Sequence, residues 1–151
     1  MPQSLSAVYV HFVFSTKDRV PSFASASLRA NLHAYIASVS GQLDCPAIEV
    51  GGVADHVHVL TRMSREVSQA EWIKEVKRVS SRLMKTQGRE HENFQWQGGY
   101  AAFSVSQSNV ARASDYVAKQ ESHHARFDYR AELETLLRRH GVEWDQRHLW
   151  D

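Results

Sequence analysis

The chain has little of several features that would assign it to a class at once. Its 151 residues include one cysteine, three prolines and seven glycines. Cys45 alone cannot form an internal disulfide, and its place before Pro46 at a predicted strand start favours a buried structural role. No apolar run reaches the ~18 residues of a membrane span, and the N-terminus lacks the pattern of a secretion signal. We therefore expect a cytoplasmic protein without a membrane partner.

Charge and glycine content exclude further classes. The net charge of +1 does not indicate a polyanion partner, so any basic surface must be local. No glycine-rich phosphate-binding loop occurs, and we expect no nucleotide cofactor. Apolar residues make up 42% and charged residues 23% of the chain, which is ordinary for a globular protein. The length predicts a single domain over 1–151, with a core at about 7–126 and a C-terminal helix and tail at about 128–151.

Hydrophobic periodicity predicts the order of the elements. Strands are predicted at residues 7–15, 45–53, 55–63 and 101–106, and helices at 22–40, 68–86, 106–124 and 128–140. A βαββαβ order most economically forms an antiparallel four-stranded sheet with helices on one face. The fold class is thus α+β and ferredoxin-like, with additional C-terminal helices. The opposite sheet face would be open to a ligand, a C-terminal helix or a partner subunit.

Local signals refine these boundaries. Apolar residues on both faces of 7–15 predict a central strand. Gly41 fits the left-handed end of the first helix, and Ser68 with Glu71 has the spacing of a capping box. Ser106 or Ser108 could cap the third helix, which is predicted to continue to about His124.

Nine histidines are the one compositional excess, and two of them lie in the stretch Asp55-His56-Val57-His58-Val59-Leu60. Successive strand side chains point to opposite faces, so His56 and His58 emerge together while Val57 and Val59 point the other way. Two imidazoles on one strand face form half of a metal site, because imidazole is the commonest protein ligand for divalent metals. A polar strand face with no ligand is the alternative.

Tyr116 and Gln120 stand four residues apart on the predicted third helix and point the same way. With His56 and His58 they offer a phenol oxygen, an amide oxygen and two imidazole nitrogens. That set suits a divalent ion beside a tyrosine nucleophile acting on a phosphodiester.

These motifs resemble one known family when they are taken together. Asp-His-Val-His-Val-Leu at 55–60, Trp96-Gln97-Gly98-Gly99-Tyr100, and Tyr-Val-x-x-Gln-x-x-His-His at 116–124 resemble the HUH single-tyrosine transposases of the insertion-sequence 200/605 type. The stretch at 10–17, Val-His-Phe-Val-Phe-Ser-Thr-Lys, resembles that family's opening strand and turn. The resemblance covers roughly residues 8–126.

The resemblance implies specific chemistry. Family members are dimers that cut and rejoin single-stranded DNA at element ends bearing hairpins. Tyr116 would be the nucleophile that forms a 5′-phosphotyrosine, and His56, His58 and Gln120 would hold Mg²⁺ or Mn²⁺. The partners would be single-stranded DNA with hairpins and a second copy of the chain, and the protein would associate with the nucleoid when acting. Whether Tyr116 acts within its own chain or across a dimer stays open.

Basic and aromatic residues outside these motifs are candidate DNA contacts. The set comprises Lys17, Arg19, Lys74, Arg78, Arg82, Lys85 and Tyr100. Four of them, from Lys74 to Lys85, lie along one face of the second helix, which is either a phosphate track or a solvated surface. For His123 and His124 we favour a structural or DNA-facing role, because adjacent helix residues point about 100° apart. His11 could share the sheet face of the metal site or be a satisfied core histidine, and we favour the core role.

Three rival functions remain. A single-strand nucleic-acid-binding module without chemistry would need neither the histidine pair nor Tyr116. A phosphoesterase with paired His-x-Thr/Ser motifs is disfavoured, since Thr61 stands three residues after His58. A domesticated relative that acts on repetitive extragenic palindromes would share the same active site.

Overall fold

The computed structural model describes residues 2–150 and contains a four-stranded antiparallel sheet in the order β2-β3-β1-β4. Its strands are β1 (Tyr9–Ser15), β2 (Ala47–Gly52), β3 (His56–Arg62) and β4 (Ala101–Val105). Its helices are α1 (Ala26–Gln42), α2 (Gln69–Lys85), α3 (Val110–Ala118), α4 (Gln120–His124) and α5 (Tyr129–Arg139). Short 3₁₀ turns occur at Lys17–Arg19, Arg89–His91 and Gln107–Asn109. The predicted α+β class and ferredoxin-like order are confirmed.

The central position of β1 gives the sheet two buried faces. Phe12 and Phe14 point into a core shared with α1 and α2, where the Phe12 ring stacks on Trp72 with centroids 4.0 Å apart. His11 and Val13 point to the opposite face, as the two-residue strand period requires. The apolar character of both faces of β1 therefore reflects burial on both sides.

The second face is covered by α5. Its apolar stripe forms a smaller core with β1 and β4, composed of Val13, Phe103, Tyr129, Leu133, Leu136 and Leu137. The sequence left this face open to a ligand, a C-terminal helix or a partner subunit, and in the structure the C-terminal helix covers it.

Helix ends account for the main differences from the sequence-based expectations. The prediction of Gly41 as a left-handed helix end was wrong: α1 continues to Gln42, and Asp44 has the positive φ of 59°. The prediction of one continuous third helix was also wrong, since α3 ends at Ala118 and α4 begins at Gln120. No serine side chain caps α3, whereas Ser68 caps α2 by accepting a hydrogen bond from the Glu71 amide at 3.0 Å.

None of the helices in residues 2–150 combines the length and apolar character that a bilayer crossing requires.

Candidate functional site

The two strand histidines lie on the α5 side of the sheet and are fully buried. In the β1–β3 ladder His58 pairs with Val13 and His56 pairs with Ser15. Val57 and Val59, between and after them, pack into the core beneath α1 and α2. His56 and His58 therefore lie on the same face of β3, as the two-residue period of a strand requires.

Four side chains bring ligand-type atoms together at this point: His56, His58, His124 and Glu132, all within 4.8 Å of one another. Glu132 Oε1 lies 2.9 Å from His58 Nε2, 3.0 Å from His124 Nε2 and 3.5 Å from His56 Nε2. His56 Nε2 is 3.0 Å from His124 Nε2. Three imidazole nitrogens thus converge on one buried carboxylate oxygen.

The other nitrogen of each strand histidine has a partner of its own. His56 Nδ1 donates to Asp55 Oδ1 at 2.8 Å, and His58 Nδ1 shares a 2.7 Å hydrogen bond with His11 Nε2. Such outer partners fix ring orientation and direct the remaining nitrogen at a bound ion. His11 is buried, but it shares the sheet face of the cluster, which was the less favoured alternative, and its hydrogen bond orients His58.

The Tyr116 phenol completes the cluster from the same chain. Its hydroxyl donates a hydrogen bond to Glu132 Oε2. The ring centroid is 5.8 Å from that of His58 and 6.0 Å from that of His11. The helix that carries Tyr116 packs on β2 and β3 of its own sheet. One carboxylate therefore contacts both the imidazoles and the phenol.

Gln120 is fully buried beside this cluster, one helix segment beyond Tyr116. Its Nε2 donates to the Tyr116 carbonyl oxygen at 3.2 Å, across the break between α3 and α4. Its Oε1 has no hydrogen-bond partner among the described residues. A buried amide oxygen without a partner is costly, so it marks a position where an ion or a water fits.

The donor set fits a divalent metal. Ligand atoms bonded to one ion at about 2.1 Å lie about 3 Å apart, which is the spacing that the imidazole and carboxylate atoms show here. Imidazoles suit transition ions, and carboxylate and amide oxygens suit Mg²⁺ and Mn²⁺.

Burial and neighbouring charges set the protonation of the cluster. Burial lowers the pKa of His58 to about 4 and that of His11 to about 3. Burial alone would raise the pKa of Glu132, but hydrogen bonds from His124, His56 and His58 outweigh it and hold the pKa well below its usual range. Burial raises the pKa of the Tyr116 phenol, and the Glu132 charge adds to the rise. The site thus holds a carboxylate, neutral imidazoles at His11 and His58, and a protonated phenol.

The candidate DNA-binding residues lie in three places. Arg19 is near the cluster: its guanidinium carbon is 6.0 Å from the Tyr129 ring, whose centroid is 4.2 Å from that of His56. Lys17 belongs to the same 3₁₀ turn. Tyr100 is 40% exposed, and its ring centroid is 6.2 Å from that of Phe12.

The four basic residues of α2 lie across the sheet from the cluster. Lys74, Arg78, Arg82 and Lys85 are exposed on a helix whose buried side packs under β1 and β3. Arg78 is paired with Glu75 at 2.5 Å. The structure does not bring these four residues together with Tyr116.

Sequence reasoning missed Glu132 and placed His124 outside the ion cluster. The sequence does carry a signal for Glu132. This residue lies within the apolar stripe of α5, three residues after Tyr129 and four before Leu136. A carboxylate inside an apolar stripe has to be buried, and a buried charge needs partners. For His124 no such signal exists, since the break after α3 decides where α4 points.

A ferredoxin-like sheet carrying a His-hydrophobic-His pair beside a helix-borne tyrosine defines an HUH-type single-tyrosine protein. The family described as "Transposase IS200 like" matches residues 4–120. The chain therefore belongs to the IS200-like transposase family, whose members are DNA-processing enzymes of recombination.

Two solved structures resemble this fold. A candidate transposase from Deinococcus radiodurans R1 superposes with a TM-score of 0.61 at 18% identity, covering 78% of this chain and 95% of its own. A REP-associated tyrosine transposase bound to a REP hairpin superposes with a TM-score of 0.55 at 13% identity, covering 78% of this chain and 68% of its own. No curated protein matches the sequence.

Proposed function

We propose that this protein nicks and rejoins single-stranded DNA through Tyr116. One observation carries the proposal: the Tyr116 hydroxyl is hydrogen-bonded to the carboxylate on which three imidazole nitrogens converge. A purely structural tyrosine has no need of this neighbourhood, whereas a nucleophile at a phosphodiester needs positioning and charge neutralisation.

The reaction balances without an energy-rich cofactor. The Tyr116 oxygen attacks the scissile phosphorus, the bond from phosphorus to the 3′-oxygen breaks, and the phenol proton is transferred so that the product is a free 3′-hydroxyl. The new phosphotyrosine ester retains the bond energy, so attack by a 3′-hydroxyl reverses the step and rejoins DNA. We therefore propose that no nucleotide cofactor takes part.

The residues of the cluster have separate roles in this proposal. His56, His58 and Gln120 would hold Mg²⁺ or Mn²⁺, with Glu132 and His124 as further candidate ligands from the C-terminal part of the chain. The ion would offset negative charge on the non-bridging phosphate oxygens. Asp55 and His11 hold the two strand imidazoles in orientation, and Glu132 positions the phenol oxygen.

The DNA partner that we propose is single-stranded DNA with hairpins. The REP-associated neighbour was solved with a REP hairpin, which favours hairpin recognition here and keeps a domesticated role on extragenic palindromes as the second candidate. We further propose a homodimer that associates with the nucleoid when it acts, as the family resemblance implies.

Covalent trapping tests the nucleophile. Purified protein with Mn²⁺ and a hairpin-bearing oligonucleotide should form a protein–DNA adduct that survives denaturing electrophoresis. Tyr116→Phe should abolish the adduct and leave DNA binding nearly intact. Tyr129→Phe is the matched control, because the Tyr129 ring also lies beside a strand histidine, His56, but is 6% exposed and packed in the α5 core.

The controls separate the rival functions. An adduct that persists in Tyr116→Phe contradicts the nucleophile assignment. Binding of single-stranded DNA with no adduct in the unsubstituted protein, on oligonucleotides that carry the native element ends, indicates the non-catalytic binding module.

A further inference from the structure

A cleft of about 600 Å³ opens beside the tyrosine, between β4, α3 and α5. Tyr116 and Glu132 lie in its wall, together with His11 and His123. The cleft is in the size range of small-ligand sites, about 300–1,000 Å³, and therefore admits unpaired nucleotides but not a double helix. A DNA strand that approaches the Tyr116 oxygen between β4, α3 and α5 must run through this cleft.

Two unpaired cations flank the cleft. Arg112 comes from α3 and Arg139 from the last turn of α5. Both are exposed, and neither guanidinium forms an ion pair or a hydrogen bond within residues 2–150. Among the described residues that line the cleft, Glu132 is the one acidic residue, and its carboxylate is occupied by imidazoles and the phenol. The charged groups of the cleft that are free to contact a ligand are therefore positive.

Planar side chains also line the cleft. Phe127 is 54% exposed, and its ring stacks on His123 with centroids 5.2 Å apart. Phe103 and His140, which also line the cleft, stack with ring centroids 4.5 Å apart. Guanidinium groups beside exposed aromatic faces are the combination that binds single strands, through phosphates and unstacked bases respectively.

We propose that this cleft holds the unpaired strand next to the scissile phosphate, with Arg112 and Arg139 contacting flanking phosphates and Phe127 stacking on a base. The proposal rests on the proposed function, because it takes Tyr116 as the point of cleavage. It assigns the strand path to α3 and α5, and not to the basic face of α2.

Salt dependence of binding tests the two arginines. Binding of a fluorescent oligo-dT is measured between low and moderate salt in the Tyr116→Phe background, so that no cleavage occurs. Each phosphate contact to single-stranded DNA contributes about 0.7 to the slope of log K against log salt. The double variant Arg112→Ala/Arg139→Ala should lower that slope by about 1.4. Phe127→Ala should weaken binding but leave the slope unchanged.

Arg138→Ala is the matched control. Arg138 is the neighbour of Arg139 on α5 and carries the same charge, but it lies 3.6 Å from Glu134 and over the Trp144 ring, outside the cleft. Its replacement should leave the slope unchanged. Circular dichroism of each variant checks that the fold is retained. We expect it to be, because the replaced side chains are exposed.

The outcomes separate this inference from the proposed function. An unchanged slope in the double arginine variant overturns the cleft as the strand path, even if the protein with Tyr116 still forms an adduct. A reduced slope in the double variant and not in Arg138→Ala supports the path, even if no adduct is ever found.

Discussion

At the residue scale, Glu132 is the group on which the site depends most. An isolated carboxylate in a protein interior loses several kcal/mol of hydration, and partners must compensate for that loss. Here four imidazoles, those of His56, His58, His123 and His124, and the Tyr116 phenol surround it. A positive ion among these groups would add to the compensation that their hydrogen bonds supply. We therefore expect Glu132 to couple metal binding to stability.

Replacing Glu132 tests that coupling. An ion present at 100 times its Kd stabilises the folded protein by about 2.7 kcal/mol, which for a chain of this size raises Tm by about 5–10 °C. Thermal unfolding with Mn²⁺ against EDTA should show such a rise in the unsubstituted protein. In Glu132→Gln most of the rise should disappear, because the amide is a weaker ligand without charge.

Glu134→Gln serves as the control, because Glu134 lies on the same helix but pairs with Arg138 and Arg130 at the surface. It should keep the full Mn²⁺ response. A Tm rise in Glu132→Gln equal to that of the unsubstituted protein would mean that Glu132 is a structural carboxylate. The ion would then be held by His56, His58 and Gln120.

At the element scale, sequence patterns predicted what depends on local periodicity and missed what depends on how helices meet. The strand period placed His56 and His58 on one face, and the apolar stripe of α5 gave Leu133, Leu136 and Leu137 as core. The helix breaks at Lys119, where φ is −98° and ψ is 25°. No proline or glycine occurs there, so the sequence does not predict the break. That break, together with the packing of α5, determines that His124 and Glu132 reach the strand histidines.

The contact between β2 and α3 sets the position of Tyr116. A Cβ atom on Gly51 would lie 1.9 Å from the carbonyl oxygen of Val117, the residue after Tyr116. Gly51→Ala must therefore push α3 away from the sheet. We expect a loss of about 1–3 kcal/mol of stability from overpacking. Nicking should fall by about 100-fold in the folded fraction, because a displacement near 1 Å misplaces the nucleophile.

Gly41→Ala is the corresponding control, because a Cβ there has no heavy atom within 4 Å and the residue lies inside α1. It should be neutral or stabilising by up to about 1 kcal/mol. Denaturant unfolding and the rate of adduct formation measure both effects. A folded Gly51→Ala protein with unchanged nicking would show that α3 can move without carrying Tyr116 out of place.

The basic face of α2 makes a separate prediction, because it points away from Tyr116. If these cations contact DNA, they contact a part remote from the scissile phosphate, such as a hairpin stem. Neutralising Lys74, Arg82 and Lys85 with glutamine should reduce the salt slope for hairpin DNA by about 0.9 per lost duplex contact. Nicking at saturating DNA should not change. An unaltered slope would identify this face as a solvated surface.

At the scale of the whole molecule, the structure bears on whether one chain builds a complete site. The strand ending at Val105 connects to the helix beginning at Val110 by one 3₁₀ turn. That short connection keeps α3 on its own β2 and β3, where Tyr116 meets Glu132 of the same chain. A dimer is compatible with this arrangement, but the arrangement needs no residue from a second chain to bring the phenol to the imidazoles.

Mixing two inactive proteins tests this arrangement. Tyr116→Phe lacks the nucleophile, and a chain with His56→Ala and His58→Ala lacks the strand imidazoles. If each site is built within one chain, the mixture forms no adduct, because neither protein contains both parts. If α3 is exchanged between subunits, mixed dimers regain one complete site and the adduct appears on the histidine-deficient chain, which a size tag identifies. Co-refolding the two chains ensures that mixed dimers form, so that an adduct on the tagged chain would contradict a site within one chain.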